Sequence, residues 1–181
     1  MQKAINAPPT NYAICGDNTL FPDGDLSEHS SFTALPSVIE RTNNVVVGSG
    51  LLDYLLLTNG TLMALNNMTW NGAQGFAKAP GDKFFVPYNP YINQVINETE
   101  TQPIPATPVG LQAGAGYMGV THTERGLTWV TVDLAGHEIP QYVPGASYRQ
   151  LEFLLGRIGS LTEMGSFTTL NDSFVGNVRM L

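Results

Sequence analysis

Residues 45–53 read VVVGSGLLD, and this stretch decides the fold class. A β-branched run that is this short and is closed by glycines is typical of a buried parallel strand in an α/β sheet. The stretch therefore predicts a strand over residues 45–50 and places Asp53 just beyond its carboxyl end. That end of the strands is where open α/β sheets build their functional sites.

The segments on both sides of this strand predict helices. A helical turn is expected near residues 36–42, and a helix over residues 58–70 with Thr58 or Asn59 available as its cap. The second prediction rests on four apolar residues at helical spacing: Leu62, Met63, Leu65 and Met68. Farther along, Pro144 is expected to open another helix, whose apolar residues include Tyr148, Leu151, Phe153, Leu154 and Ile158.

Two further strands are predicted at residues 117–123 and 127–134, as a hairpin or as adjacent strands joined by a turn at 124–126. Between residues 70 and 116 glycine, proline and asparagine dominate, so we expect a long surface loop insertion without regular elements. The N-terminal 37 residues predict a short helix that ends at Pro8-Pro9 and a polar loop over residues 16–31. The tail from residue 159 is weakly patterned.

Composition restricts the classes of protein that the chain can belong to. With 181 residues the chain has the length of one domain or part of one, and with 43% hydrophobic and 13% charged residues it predicts a compact, loop-rich globule. A net charge of −7 disfavours binding to nucleic acids and to anionic membrane surfaces. The longest apolar runs are far shorter than the roughly 20 residues that cross a bilayer.

The cellular compartment is ambiguous from the residues alone. The N-terminus lacks the apolar region of a secretory signal, which favours the cytosol. Asn-x-Ser/Thr sequons are slightly more numerous than chance predicts and favour a secretory history instead. They begin at Asn59, Asn67, Asn97 and Asn171. Cys15, the single cysteine, is either a buried thiol of a cytosolic domain or an odd cysteine whose partner lies elsewhere.

An acid and a histidine follow two different predicted strands. Asp53 comes after the first strand, and His137 comes after the strand predicted to end near Leu134. This is the chain order of the second and third members of an α/β-hydrolase triad, in which the carboxylate orients the imidazole that moves the nucleophile's proton. On spacing alone the alternative is that Asp53 caps a helix and His137 is an ordinary loop histidine.

Other groupings are weaker candidates for chemistry. Ser49 is flanked by glycines but lies four residues before Asp53, so both side chains cannot face one histidine from opposite sides. A zinc site could be formed by His122 and Glu124 together with His137 and Glu138, but their spacing matches no familiar ligand set. We expect no metal and no cofactor. Cys15 has no predicted strand or helix end to activate it as a nucleophile.

Residues 135–144, AGHEIPQYVP, together with VVGSGLLD at 46–53 and NMTW at 67–70, resemble the C-terminal part of the serine carboxypeptidases, especially the fungal branch. The resemblance extends from about residue 2 to residue 161. It implies an α/β fold, the C-terminal part of an α/β-hydrolase with parallel strands and flanking helices, over residues 1–161. Residues 162–181 form a weakly patterned tail.

The resemblance implies that Asp53 is the triad carboxylate and His137 the triad base of an enzyme that removes C-terminal residues from peptides through an acyl-enzyme. Two positions depart from the family pattern. Leu51 stands where the family has an acid, and Glu138 stands where the family often has methionine, which makes Glu138 a candidate for contact with the leaving residue. The family's nucleophilic serine, oxyanion glycines and carboxylate-binding acids lie upstream of the matched region.

Three readings follow from this. In the first, the chain is roughly the last third of a secreted or vacuolar enzyme, which acts on peptide or protein C-termini when the N-terminal part of the same enzyme supplies the serine. In the second, it is a non-catalytic truncated fragment or binding remnant, inactive alone. A third, acyltransferase or lyase chemistry on the same scaffold, is not separated from hydrolysis by these residues.

Overall fold

The computed structural model describes residues 23–24, 26–88 and 114–166. The helices in this part are α1 (Ala34–Thr42), α2 (Thr58–Asn67), α3 (Ile139–Tyr142) and α4 (Pro144–Leu154). The strands are β1 (Val45–Gly50), β2 (Thr69–Trp70), β3 (Ala73–Gln74), β4 (Asp82–Val86), β5 (Gly116–Glu124) and β6 (Leu127–Val132). The predictions for Pro8-Pro9, Cys15, Asn97 and Asn171, half of the polar loop and most of the tail lie outside the described residues.

The main sheet has four strands in the order β1-β6-β5-β4. β1 is parallel to β6, with Val45 opposite Leu127 and Gly50 opposite Val132, while β5 is antiparallel to both β6 and β4. The predicted parallel strand at 45–50 and the predicted hairpin of the two later strands are therefore confirmed. The sheet is mixed, with helices beside it, which is an α/β architecture.

Helices cover both faces of the sheet. Side chains of β6 alternate between two apolar clusters, with Trp129 in one and Val130 in the other, and every residue of this strand is buried. The first cluster also contains Ile39 of α1 and Leu65 of α2, and the second contains Ala146 of α4. β6 carries apolar side chains on both faces because both faces are buried, and its two threonines, Thr128 and Thr131, are buried as well.

Two predictions about the middle of the chain are wrong. The helix predicted over 58–70 ends at Asn67, because a two-residue hairpin begins at Thr69 and turns at Asn71-Gly72, both with positive φ. The insertion predicted to lack regular elements contains β3 and β4. β4 forms because Phe84 and Val86 are buried in the core while its backbone pairs with β5, a contact that local composition does not reveal.

The turn between β5 and β6 is a two-residue loop, Arg125-Gly126, in which both residues have positive φ as such hairpins require. A Cβ at Gly126 would collide with Asn43. The guanidinium of Arg125 secures the turn by donating to the carbonyl oxygens of Trp70 (2.7 Å), Ala73 (2.8 Å) and Gly75. The guanidinium thereby joins the main sheet to the small hairpin.

Arg125→Lys is expected to lower the free energy of unfolding by about 2 kcal/mol, because a single ammonium cannot reproduce the planar fork that bonds three carbonyls and stacks over the Trp70 ring. Urea unfolding measures the loss. Arg41→Lys, the same substitution at an exposed position of α1, is the control and should be nearly neutral. Equal stability of the two variants would contradict this role for Arg125.

Candidate active site

The carboxyl ends of β1 and β6 lie side by side because the two strands are parallel and in register through Gly50 and Val132. Beyond these residues the two loops stay joined by backbone hydrogen bonds. Leu51 N donates to Val132 O (3.0 Å), and Leu52 N donates to Ala135 O (2.9 Å). The loop that carries Asp53 and the loop that carries His137 are thus held against each other.

Gly50 allows this close approach. A Cβ at this position would overlap the backbone oxygens of both Ala135 and Gly136. Backbone atoms cannot move aside as a flexible side chain can, so any other residue would push the two loops apart. The glycine that closes the β-branched run therefore ends the strand and also provides the space in which the two loops meet.

The two carboxylate oxygens of Asp53 have different partners. Oδ1 accepts hydrogen bonds from the backbone N–H groups of Leu55 (2.8 Å) and Leu56 (2.9 Å), which is the local turn that aspartate commonly forms. Oδ2 lies 3.0 Å from Nδ1 of His137. The Asp53 side chain is 7% exposed, so the carboxylate is fixed by the protein rather than by solvent.

His137 faces solvent more than its partner does, with 43% of its side chain exposed. A carboxylate only accepts hydrogen bonds, so Nδ1 is the protonated nitrogen in the neutral ring and Nε2 carries the lone pair. Among the described residues Nε2 has no hydrogen-bond partner. The arrangement is an oriented imidazole whose basic nitrogen is accessible.

The pKa of Asp53 lies below its ordinary value of 3.8. The hydrogen bond from Leu56 N–H is the largest cause, and the bond from His137 adds to it, whereas burial of the carboxyl opposes both. Asp53 is therefore ionised at neutral pH and available to stabilise an imidazolium.

The lowered pKa of Asp53 predicts a stability contribution that is lost in acid. Folding favours the ionised form, so the contribution is complete above the ordinary pKa near 3.8 and disappears as the pH falls through the lower value of the folded state. We expect the difference in unfolding free energy between the chain and its Asp53→Asn variant to shrink between about pH 6 and about pH 2. Urea unfolding at several pH values measures it.

Asp133→Asn is the matched control for this titration. Asp133 is a half-buried carboxyl just after β6, and its side chain has no hydrogen-bond partner among the described residues. Its substitution removes a carboxylate without removing a described side-chain hydrogen bond. The assignment would be contradicted if the difference in unfolding free energy between the chain and Asp53→Asn grew as the pH falls.

The other candidate residues lie elsewhere or have other partners. Ser49 is buried, and its hydroxyl bonds that of Thr58. His122 contacts Glu124 (3.1 Å) on β5, and the two do not join His137 and Glu138 in a metal site: within the described residues no group of three or more potential ligands is placed to hold an ion. Glu138 is exposed beside His137.

A residue that the sequence did not single out for the site is Thr58. It was expected to cap α2, but the N-cap is Leu57 and no side chain caps this helix. The Thr58 hydroxyl instead donates to Gly50 O (2.9 Å) at the end of β1. Nothing in the local pattern distinguishes such a residue from an ordinary cap.

An ionised acid and an accessible imidazole thus lie together at the carboxyl ends of two parallel strands, the edge at which open α/β sheets build their functional sites. The family model described as serine carboxypeptidase matches residues 1–156. The chain therefore belongs to the serine carboxypeptidase family, and its mixed sheet is a part of an α/β-hydrolase fold.

Curated relatives are fungal. The chain is 53% identical over 165 residues to a "Carboxypeptidase Y homolog" of Arthroderma benhamiae, an alignment that covers 90% of this chain and 30% of that protein. It is 38% identical over 170 residues to "Serine-type carboxypeptidase F" of Aspergillus niger, with 89% and 30% covered. The chain thus spans about a third of the length of these relatives.

Among solved structures, the chain resembles a prohormone-processing carboxypeptidase from Saccharomyces cerevisiae. The match has a TM-score of 0.43 and 18% identity, and it covers 66% of this chain and 20% of that one. Within the described residues no helix is long and apolar enough to cross a membrane.

Proposed function

We propose that this chain supplies the acid and the base of a serine-type carboxypeptidase, with Asp53 as the triad carboxylate and His137 as the general base. The 3.0 Å contact between Asp53 Oδ2 and His137 Nδ1 carries the proposal, because it leaves Nε2 free to take a proton. Family membership supports the reaction class. The serine and the oxyanion hole would come from the part of the enzyme that this chain does not match in its relatives.

In the proposed reaction, His137 Nε2 removes the proton of the serine hydroxyl as its oxygen attacks the last peptide carbonyl. Asp53 stabilises the imidazolium. The C–N bond then breaks, the proton passes from Nε2 to the departing amino acid, and water hydrolyses the acyl-enzyme by the same route. Glu138, exposed beside His137, is the candidate for contact with the leaving residue.

The surface around Asp53 supports the need for a second polypeptide part. Apolar residues on both sides of Asp53 are half to nearly fully exposed: Leu51, Leu52, Tyr54, Leu55, Leu56 and Leu57. In addition, β1 has no neighbour on its outer side in the described sheet. An apolar loop and an open strand edge are costly to leave in water, and the remainder of the enzyme is the natural cover for both.

The same surface favours the second candidate, in which the chain alone is a non-catalytic fragment of this family. We expect the 181-residue chain by itself to hydrolyse no blocked dipeptide, because neither nucleophile nor oxyanion hole is assigned within it. Turnover by the chain alone that an irreversible serine reagent abolishes would overturn this expectation.

A chimera tests the first proposal. The matching segment of the Arthroderma benhamiae carboxypeptidase Y homolog is replaced by this chain, and release of the C-terminal amino acid from a blocked dipeptide is followed. Activity within about tenfold of the parent is expected, since the exchanged segments are 53% identical. The proposal would be contradicted by a chimera that unfolds at the same midpoint as its parent and is inactive.

We also propose a secreted or vacuolar location for the whole enzyme. The sequons at Asn59 and Asn67 support it, because both asparagines are exposed on α2. When a fungal host secretes the chimera, Asn59→Gln and Asn67→Gln should each lower its mass, and enzymatic deglycosylation should remove these differences. Equal masses of the chimera and both variants before deglycosylation would contradict use of these sites.

A further inference from the structure

Thr58, the first residue of α2, is hydrogen-bonded through its hydroxyl to two residues at the end of β1, Ser49 and Gly50. Its Oγ1 donates to Gly50 O (2.9 Å) and lies 2.9 Å from Oγ of Ser49. The carbonyl oxygen only accepts, so the single hydroxyl hydrogen of Thr58 is committed to it. Ser49 must therefore donate to Thr58, and the hydrogen bonds run from Ser49 to Thr58 to Gly50.

The same carbonyl oxygen fixes both ends of the acid loop, which we define as residues 51–57. Gly50 O accepts the N–H of Asp53 (3.0 Å) at the start of this loop and the hydroxyl of Thr58 immediately after it. The first half of the loop is also held by the backbone bonds of Leu51 to Val132, the last residue of β6, and of Leu52 to Ala135. The second half is attached to Asp53 and to α2 and makes no such bond to β6.

Residues 54–57 are held by hydrogen bonds rather than by packing. They are 59–88% exposed, so apolar packing within the described structure does not order them. Leu55 and Leu56 N–H donate to Asp53 Oδ1, Leu57 O accepts the N–H of Thr61 (3.0 Å) in α2, and the Thr58 hydroxyl ties the end of the loop back to β1. A shift of this half-loop would move the donors that orient the Asp53 carboxylate.

We propose that Thr58 is a positioning residue whose hydroxyl, supported by Ser49, closes the acid loop and thereby holds Asp53 at hydrogen-bond distance from His137. The consequence for catalysis rests on the proposed function, whereas the geometric effect does not. Helix capping is not an alternative use of this hydroxyl, because α2 has no side-chain cap bond. The proposal also gives Ser49 a structural role as the donor to Thr58.

Nuclear magnetic resonance on the full 181-residue chain, labelled at histidine nitrogen, tests the proposal. Thr58→Val removes the hydroxyl and keeps the shape of the side chain. We expect the Nδ1 proton of His137 to exchange with water about fivefold faster in this variant. The loss of one ordinary hydrogen bond raises the population of the open loop, from which exchange occurs, by about this factor. The pKa of Asp53, measured from its carboxyl carbon, should move upward toward its ordinary value.

Three companion variants sharpen the test. Thr58→Ser retains the hydroxyl and should restore the slow exchange. Ser49→Ala removes only the donor to Thr58 and should have a smaller effect in the same direction. Thr42→Val is the matched control, because the Thr42 hydroxyl also donates to a carbonyl oxygen, that of Val38 (2.8 Å), but at the end of α1 and outside the acid loop. It should leave the His137 signal unchanged, as should the His122 signal in every variant.

Two results would overturn the proposal. One is an unchanged His137 proton exchange and an unchanged Asp53 pKa in Thr58→Val. The other is an equal change in Thr58→Val and Thr42→Val, which would reduce the effect to a general loss of stability. In the chimera, Thr58→Val should lower kcat about fivefold at constant KM. If His137→Ala left chimera activity intact, the proposed function would fail, while the resonance experiment would still decide the role of Thr58.

Discussion

His137→Ala in the carboxypeptidase chimera is expected to lower kcat by about 10⁶-fold, with KM changed little. In the proposed reaction Nε2 of His137 accepts the serine proton, while Nδ1 is bonded to Asp53. Loss of the imidazole therefore leaves this proton without an acceptor. Initial rates with a blocked dipeptide measure the effect. Asp53→Asn should cost about 10⁴-fold in kcat, because an amide can donate to Nδ1 and favours the wrong tautomer.

Controls of the same chemical type separate this effect from general damage. His29→Ala removes an exposed imidazole, and Asp133→Asn makes the same change as Asp53→Asn at a carboxyl that has no described side-chain partner. Both should keep activity within about twofold. Retention of full activity by a correctly folded His137→Ala chimera would refute the assigned roles.

Arg149→Met is expected to lower the free energy of unfolding by about 3–5 kcal/mol, the usual cost of removing one partner of a buried ion pair. Arg149 and Glu152 on α4 both have side chains that are 2% exposed, and Nη1 donates to the Glu152 carboxylate (3.0 Å). Nη2 donates to Glu163 O (2.7 Å), which fastens the segment after α4. Urea unfolding of the chain measures the loss.

The double variant Arg149→Met with Glu152→Leu is the decisive companion. It removes both charges, so no uncompensated carboxylate remains buried, and apolar replacements of a buried pair are often neutral. We expect it to regain most of the stability that Arg149→Met loses. A double variant no more stable than the single one would show that the bond to Glu163 O, rather than the ion pair, carries the effect.

The local parts of the fold could be predicted from the sequence. The strand at 45–50 could be predicted because its β-branched residues and closing glycines are local signals that span only a few positions. The hairpin turn at Arg125-Gly126 is set by an equally local signal. Asp53 and His137 were expected beyond the ends of two different strands at the functional edge of the sheet, and their side chains meet there. Their chemical roles remain a proposal.

The parts that depended on distant contacts could not be predicted. β4 is a strand because β5 pairs with it and the core accepts Phe84, although glycine and proline dominate the surrounding sequence. The end of α2 was misplaced because Asn71-Gly72 is the turn of a hairpin that Arg125 secures from the loop between β5 and β6. Thr58 looked like a helix cap, since its true acceptor, Gly50 O, is known only from the folded loop.

The parallel pairing of β1 with β6 also determines the order in which the chain gains structure. β5 and β6 are joined by two residues, whereas Asp53 and His137 are 84 positions apart. Closing the longer loop costs more chain entropy, and contacts of high sequence separation slow folding. We expect the hairpin to form early and the acid–imidazole contact late, so that a protected His137 proton would mark only those molecules that have completed the sheet.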